Sequence, residues 1–186
     1  MKKQAFFFML LAGFLLLQAC NTDFKSSNQT ADSGQVNSES AVVDEEVSNF
    51  LIMASSGGLM EVQLGEMAKQ NSKSEGVKNF GIMMVKDHNS ANSELRDLAS
   101  RKHVTVPDMM KEEHQKHVNE LTPLRGPEFD EKYMKLMTDD HKEDIELFQK
   151  ASTFDEPEVK AFAEKTLPIL KKHLEAAKKI EKNLMM

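Results

Sequence analysis

The stretch VKNFGIMMVKDHNSANSELRDL, residues 77–98, is enough to set the fold class. Val77, Phe80, Met84, His88, Ala91, Leu95 and Leu98 recur at steps of three and four, the spacing that lines one face of an α-helix. Ser72 and Glu75 have the S-x-x-E spacing of a capping box and open this second long helix. It fades at His103 and must stop before Pro107, because the residue ahead of a proline is pushed out of the helical region.

The same period holds on both sides of that stretch. Upstream, a first helix begins at Asp44 and places Val47, Leu51, Ala54, Gly58, Glu61, Gly65 and Ala68 on one face. Downstream, a third long helix starts near Pro127, a residue favoured in a first turn, with the stripe Met134, Met137, His141, Ile145 and Phe148. Asp155 and Glu158 repeat the capping-box spacing before a fourth. Its apolar face runs Val159, Phe162, Thr166, Ile169, His173, Ala177 and Ile180, widened by Leu167, Leu170 and Leu174. Pro168 removes a bond to the Glu164 carbonyl and predicts a kink there. No segment alternates with period two, so the fold class is all-α.

Topology follows from connection lengths. The first and last pairs of helices are joined by short turns, which makes each an antiparallel hairpin. His103 to Gly126 is long enough to run back along the bundle, and predicts a short helix over MMKEEHQKHVNEL capped by Asp108. The second and third long helices are then parallel, and residues 44–186 form a ferritin-like four-helix bundle with one long crossover containing a short helix. A weak repeat agrees with this. Met84–His88 and Met137–His141 share M-x-x-D-H, and parallel helices would set them at one depth.

Residues 1–20 have the form of a lipoprotein signal peptide and are set apart from the fold. Lys2 and Lys3 precede the apolar run Ala5–Leu17, which is shorter than the roughly 20 residues a spanning helix needs. Leu17-Gln18-Ala19-Cys20 resembles a lipobox, although Gln18 is a less usual residue there, and Cys20 is the expected lipidation site. Cys20 is also the only cysteine, so no disulfide is expected. Lipidation anchors the chain to a membrane. Asn21 after the cysteine resembles the Gram-negative signal for sorting to the outer membrane, so the expected site is the envelope, facing the periplasm. Residues 21–43, rich in Ser, Asn, Thr and Gln, are expected to be a flexible tether. Net charge is −6, and losing residues 1–20 would remove two more lysines and no acid. Without a basic stripe the chain is no nucleic-acid binder. Its protein partner is not legible.

Each long helix carries one ligand-competent residue inside its apolar stripe: Glu61, His88, His141 and His173. With a rise of about 1.5 Å per residue, all four fall within about one or two turns of one level. Three imidazoles and a carboxylate suit a transition-metal ion, Zn²⁺, Cu²⁺ or Fe²⁺. Asp144, one turn after His141, is a further candidate ligand. Asp87 and Asp140 each precede a histidine and point about 100° away, which suits them to orienting imidazoles. The bland alternative is a hydrogen-bonded polar core, since a single histidine on an apolar face is ordinarily just that. The His114-x-x-His117 pair reads as a solvated face, the methionines as core packing, and Gly57-Gly58 as a place of close helix approach.

The strings FLIMASSGGLMEVQLGEMA, VKNFGIMMVKDHNSANSEL, FDEKYMKLMTDDH and KAFAEKTLPILKKHLEAA resemble the bacterial domain-of-unknown-function 4142 family over residues 45–180. The resemblance implies a ferritin-like four-helix fold and an exported, envelope-associated protein, and it carries no established activity. Val85, Thr138 and Leu170 stand three residues before His88, His141 and His173, so the Glu-x-x-His of di-iron bundles is absent there. Two functions follow: a periplasmic module binding one transition metal, or a non-catalytic structural or stress-related envelope protein with no metal. No catalytic residue is assigned, because the chain has no nucleophile triad, phosphate-binding glycine loop or paired acid and base of clear spacing.

Overall fold

The computed structural model describes residues 44–186. The signal segment 1–20, Cys20 and the tether 21–43 lie outside the described residues. Five helices follow in order: α1 Glu45–Asn71, α2 Glu75–Arg101, α3 Glu112–Leu121, α4 Gly126–Ala151 and α5 Pro157–Leu184. No strand occurs among the described residues.

Caps largely follow the expected chemistry, with shifts of one to three residues. Asp44 accepts from Glu46 N at 2.8 Å and opens α1. For α2 the cap is Ser74, whose hydroxyl accepts from Val77 N. Ser72, the expected cap, instead closes α1 and accepts from Ser74 N. Glu156 rather than Asp155 caps α5, because Pro157 takes the first helical position. The crossover helix starts at Glu112 after Lys111, later than the expected Asp108 cap.

Contacts fix the topology. Gly65 of α1 packs on Gly81 of α2, and Phe148 of α4 packs on Phe162 of α5 with ring centroids 5.9 Å apart. Between the hairpins, Glu46 pairs with Lys150, and Arg101 with Glu158. So α1 runs antiparallel to α2 and α4, and α5 antiparallel to α4 and α2. The diagonal helices α2 and α4 are therefore parallel, as the long crossover requires. α3 lies across α1 and returns the chain to the opposite end, with Val118 and Leu121 buried.

The core falls into two apolar clusters. One gathers Phe50, Leu95, Phe148 and Phe162, the other Met60, Leu64, Phe80, Phe129 and Met137. A buried polar layer separates them. Two details depart from the sequence pattern. Ile169 is exposed while Ala163 is buried, which rotates the α5 face slightly. α5 also runs through Pro168 as one helix. Pro168 and Glu164 both face solvent, where water can satisfy the freed carbonyl. Among the described residues no helix is long and apolar enough to cross a membrane.

The α1–α2 seam depends on missing side chains. A Cβ on Gly65 would stand 2.8 Å from the Gly81 carbonyl oxygen, and one on Gly81 2.7 Å from that of Gly65. A Cβ on Gly57 meets nothing nearer than 3.8 Å. Gly81→Ala and Gly65→Ala should therefore each destabilise by about 1–2 kcal/mol, overpacking outweighing the propensity gain. Gly57→Ala should be neutral or stabilise by up to about 1 kcal/mol. Denaturant midpoints of the three variants against the parent measure this, and a uniform sign across them would contradict the packing argument.

Candidate metal centre

The polar layer is built from one side chain of each long helix. Glu61 comes from α1, His88 from α2, His141 from α4 and His173 from α5, and all four are buried. The carboxylate is only 1% exposed. Each occupies a position its helix turns inward, between the two apolar clusters, so local periodicity alone delivers the group to the axis.

The four make a connected set. Glu61 Oε2 lies 2.6 Å from His88 Nδ1, and Oε1 lies 3.4 Å from His141 Nε2. His141 Nε2 is 3.3 Å from His173 Nδ1. His173 Nε2 is 3.0 Å from Asp87 Oδ2. Ring centroids are 5.7 Å apart for His88–His141, 5.3 Å for His88–His173 and 5.4 Å for His141–His173. Nitrogens of the three histidines all lie within 4.8 Å of one another. Donor atoms of Glu61, Asp140 and His141 form a second group of the same closeness.

The two M-x-x-D-H copies explain this arrangement. On α2, His88 reaches toward α1 and Asp87 toward α5. On α4 the roles exchange: Asp140 groups with Glu61 of α1, and His141 touches His173 of α5. Asp87 thus holds His173 rather than its neighbour His88, leaving Nδ1 of the His173 ring directed at His141. A carboxylate behind a ligand histidine fixes its tautomer and orientation in metal sites. Asp140, whose spacing suits it better to orienting a ring than to ligation, has an oxygen among the possible donors. Asp144 is partly buried beside Glu61 and His88 but outside both close groups.

Several buried atoms have no hydrogen-bond partner: Glu61 Oε1, His88 Nε2, His141 Nδ1, Asp140 Oδ2 and the Tyr133 hydroxyl. Buried polar groups are ordinarily satisfied, so such a concentration is unusual. Tyr133 is not among the residues that the sequence pattern singles out. It is the only tyrosine in the chain and sits eight residues before His141, about 80° away around the helix, so spacing gave no signal for it.

Burial sets the protonation states. It pushes the Glu61, Asp140 and Asp144 carboxyls well above the ordinary carboxylate range, and neighbouring carboxylates push Asp140 and Asp144 further. It lowers His88 to about 4 against the pull of Asp144 and Asp87, and His173 to about 4 against its hydrogen bond to Asp87. His141 is lowered well below its usual value by burial and by the other two rings. The imidazoles are thus neutral near pH 7, the form that ligates metals. Three neutral nitrogens and a carboxylate fit Zn²⁺, Cu²⁺ or Fe²⁺, and a divalent ion bound by Glu61 Oε1 would give that unpartnered oxygen a partner.

Comparison with known proteins bears on the fold and the family. Residues 32–180 match the family model described as Domain of unknown function (DUF4142). No curated protein matches the chain. Among solved structures, a DUF305 fragment from Deinococcus radiodurans superposes with a TM-score of 0.67 at 11% identity, over 76% of this chain and 98% of that one. CopM in its Cu(II)-bound form does so with a TM-score of 0.63 at 15% identity, over 74% of this chain and 96% of that one. CopM in its Ag-bound form gives 0.61 at 15% identity, with the same coverage of 74% and 96%. At these identities the likeness establishes a shared helical-bundle fold.

Glu61→Gln tests the electrostatics of the layer. A carboxyl raised in the folded state favours folding below its unfolded pKa, near 4.5, and loses that contribution as pH rises through the folded value. The amide carries no such penalty. In chelator-treated protein, the Glu61→Gln variant should be more stable than the parent at pH 8, with the difference shrinking toward pH 4. Thermal melts across that range check it, and a difference independent of pH would refute the assignment.

Proposed function

The chain belongs to the Domain of unknown function (DUF4142) family, and we propose that its bundle core holds one transition-metal ion. The observation that carries this reading is the convergence of three neutral imidazoles from three helices, within 4.8 Å of one another, beside a fully buried carboxylate with an unpartnered oxygen. His88, His141 and His173 would supply nitrogen ligands and Glu61 an oxygen. Asp87 would hold the His173 ring in place from behind. Bound there, Zn²⁺, Cu²⁺ or Fe²⁺ would act as a stored or structural ion, or as a Lewis acid or redox centre according to its identity. That CopM, of the same fold, takes Cu(II) and Ag supports the reading without fixing the metal. The donors here are imidazole and carboxylate, with no thiolate, which suits borderline divalent ions.

The cellular setting is part of the same proposal and rests on residues 1–21 alone. Lipid attached at Cys20 would anchor the chain in the outer membrane, and residues 21–43 would hold the bundle in the periplasm.

A second reading has its own support. Glu61–His88 and the chain Asp87–His173–His141 already form hydrogen bonds or close polar contacts without an ion. On that reading the layer is a polar network of a structural or stress-related envelope protein.

Elemental analysis separates the two. Full-length protein purified without a metal-affinity tag should carry close to one transition-metal ion per chain. His88→Ala and His141→Ala should each lose it. An ion present at a hundred times its dissociation constant stabilises by about 2.7 kcal/mol, so chelation should lower the melting temperature by roughly 5–10 °C. A metal-free wild type whose melting is indifferent to chelator and to added Zn²⁺ or Cu²⁺ would leave the structural reading.

A further inference from the structure

One stretch of α1 is left unexplained by helix packing. Ser55, Ser56, Gly57 and Gly58 are all buried; Gly58 faces Asn92 of α2, while Ser56 and Gly57 meet His114 of α3. Gly65 and Gly81 lack side chains because two backbones touch. Gly57 has no such reason, since the nearest atoms to a Cβ there would be 3.8 Å away. Those atoms are informative: Asp144 Oδ1 at 3.8 Å and His114 Nε2 at 4.0 Å. A histidine of the crossover helix and a carboxylate of α4 border one gap, kept open by a residue without a side chain.

His114 is held for this geometry. The Ser56 hydroxyl oxygen accepts from Lys111 N at 2.8 Å and lies 2.6 Å from His114 Nδ1. Nδ1 is thereby engaged, and Nε2 is the ring nitrogen left at the gap. On the solvent side the exposed carboxylates of Glu113 and Glu143 act on the same ring, opposed by Lys111 and His117. On the inner side, Asp144 borders a cavity of about 20 Å³ shared with Gly58, Asn92, Glu61 and His88. The donors therefore form a file from the surface to the core: His114, then Asp144, then Glu61 and His88.

We propose that metal ions reach the core along this file, passing from His114 to Asp144 across the gap at Gly57 and then to the Glu61–His88 pair. The inference rests on the core being a metal site. A cavity of that size holds about one water, so a hydrated ion cannot cross intact. The ion must shed water as it moves, and protein donors spaced along the path replace the lost ligands. Divalent ions exchange such oxygen and nitrogen ligands one at a time, which a file of single donors permits and a closed apolar wall would prevent. At its mouth Glu143 offers a carboxylate to incoming cations, while Glu113 is paired with Lys111.

Rates test this where equilibria do not. Co²⁺ is mixed with the full-length chain, stripped beforehand by chelator, and its uptake followed by visible absorption in a stopped flow. His114→Ala and Gly57→Val, the latter filling the gap, should each slow uptake at least tenfold while binding the same final amount per chain. Loss of Co²⁺ to excess EDTA should slow by the same factor, because a barrier on the path alters both directions equally. Circular dichroism checks that each variant folds; should Gly57→Val not fold, His114→Ala decides. Wild-type rates in the folded variants would overturn the route. A wild type that takes up no Co²⁺ at all would overturn the core site itself, a result visibly different from unhindered uptake.

Discussion

A carboxylate sealed in the middle of a helical bundle is the constraint on which this structure turns. Glu61 sits between two apolar clusters, and burial of its charge without compensation would be costly. Everything around it addresses that difficulty. His88 lies within hydrogen-bonding distance of one oxygen, and His141 approaches the other too loosely to satisfy it. Protonation lowers the penalty in the metal-free state, which is why the carboxyl titrates high. A divalent cation would resolve it more completely, turning three lone pairs and a negative charge from liabilities into ligands. The hydrophobic clusters on either side supply the folding energy that permits a polar layer at all.

Pseudo-symmetry distributes the donors. Because α2 and α4 are parallel diagonals carrying the same M-x-x-D-H string, each presents one histidine and one aspartate at the same depth, about 100° apart. Each then meets both remaining helices, α1 with its acid and α5 with its imidazole. The copies are equivalent in sequence and opposite in use. On α2 the histidine serves α1 and the aspartate serves α5; on α4 the pairing is reversed. Duplicating one short motif on two parallel rods thus brings two of the three buried histidines and both aspartates to the polar layer.

The crossover does more than connect. By lying over α1 it buries Ser56 and brings His114 beside Gly57, giving the polar layer a neighbour with polar groups of its own. The seam of α1 with α2 is shut, with Gly65 and Gly81 placing backbone against backbone. Rigidity on one side of α1 and a gap on the other are both written in glycine, for opposite reasons.

Whatever depends on local period and chain length could be read from the order of residues. The stripes through Val77–Leu98 and their counterparts set four long helices, since side chains three and four apart must share a face. The length of 103–126 set the crossover, and placing Glu61, His88, His141 and His173 at one level needed only the rise per residue. Partnership between side chains came from packing, because rotation of one helix against another leaves no trace in spacing. Nothing in the order of residues says that Asp87 holds His173 instead of its neighbour, or that Asp140 stands among the donors. Tyr133 lies outside the stripe that the spacing picks out, and His114 reads as solvated until α3 is laid across Ser56. These contacts join residues from 55 to 86 positions apart, or closer ones brought together only by helix rotation, and they exist only once the helices have packed.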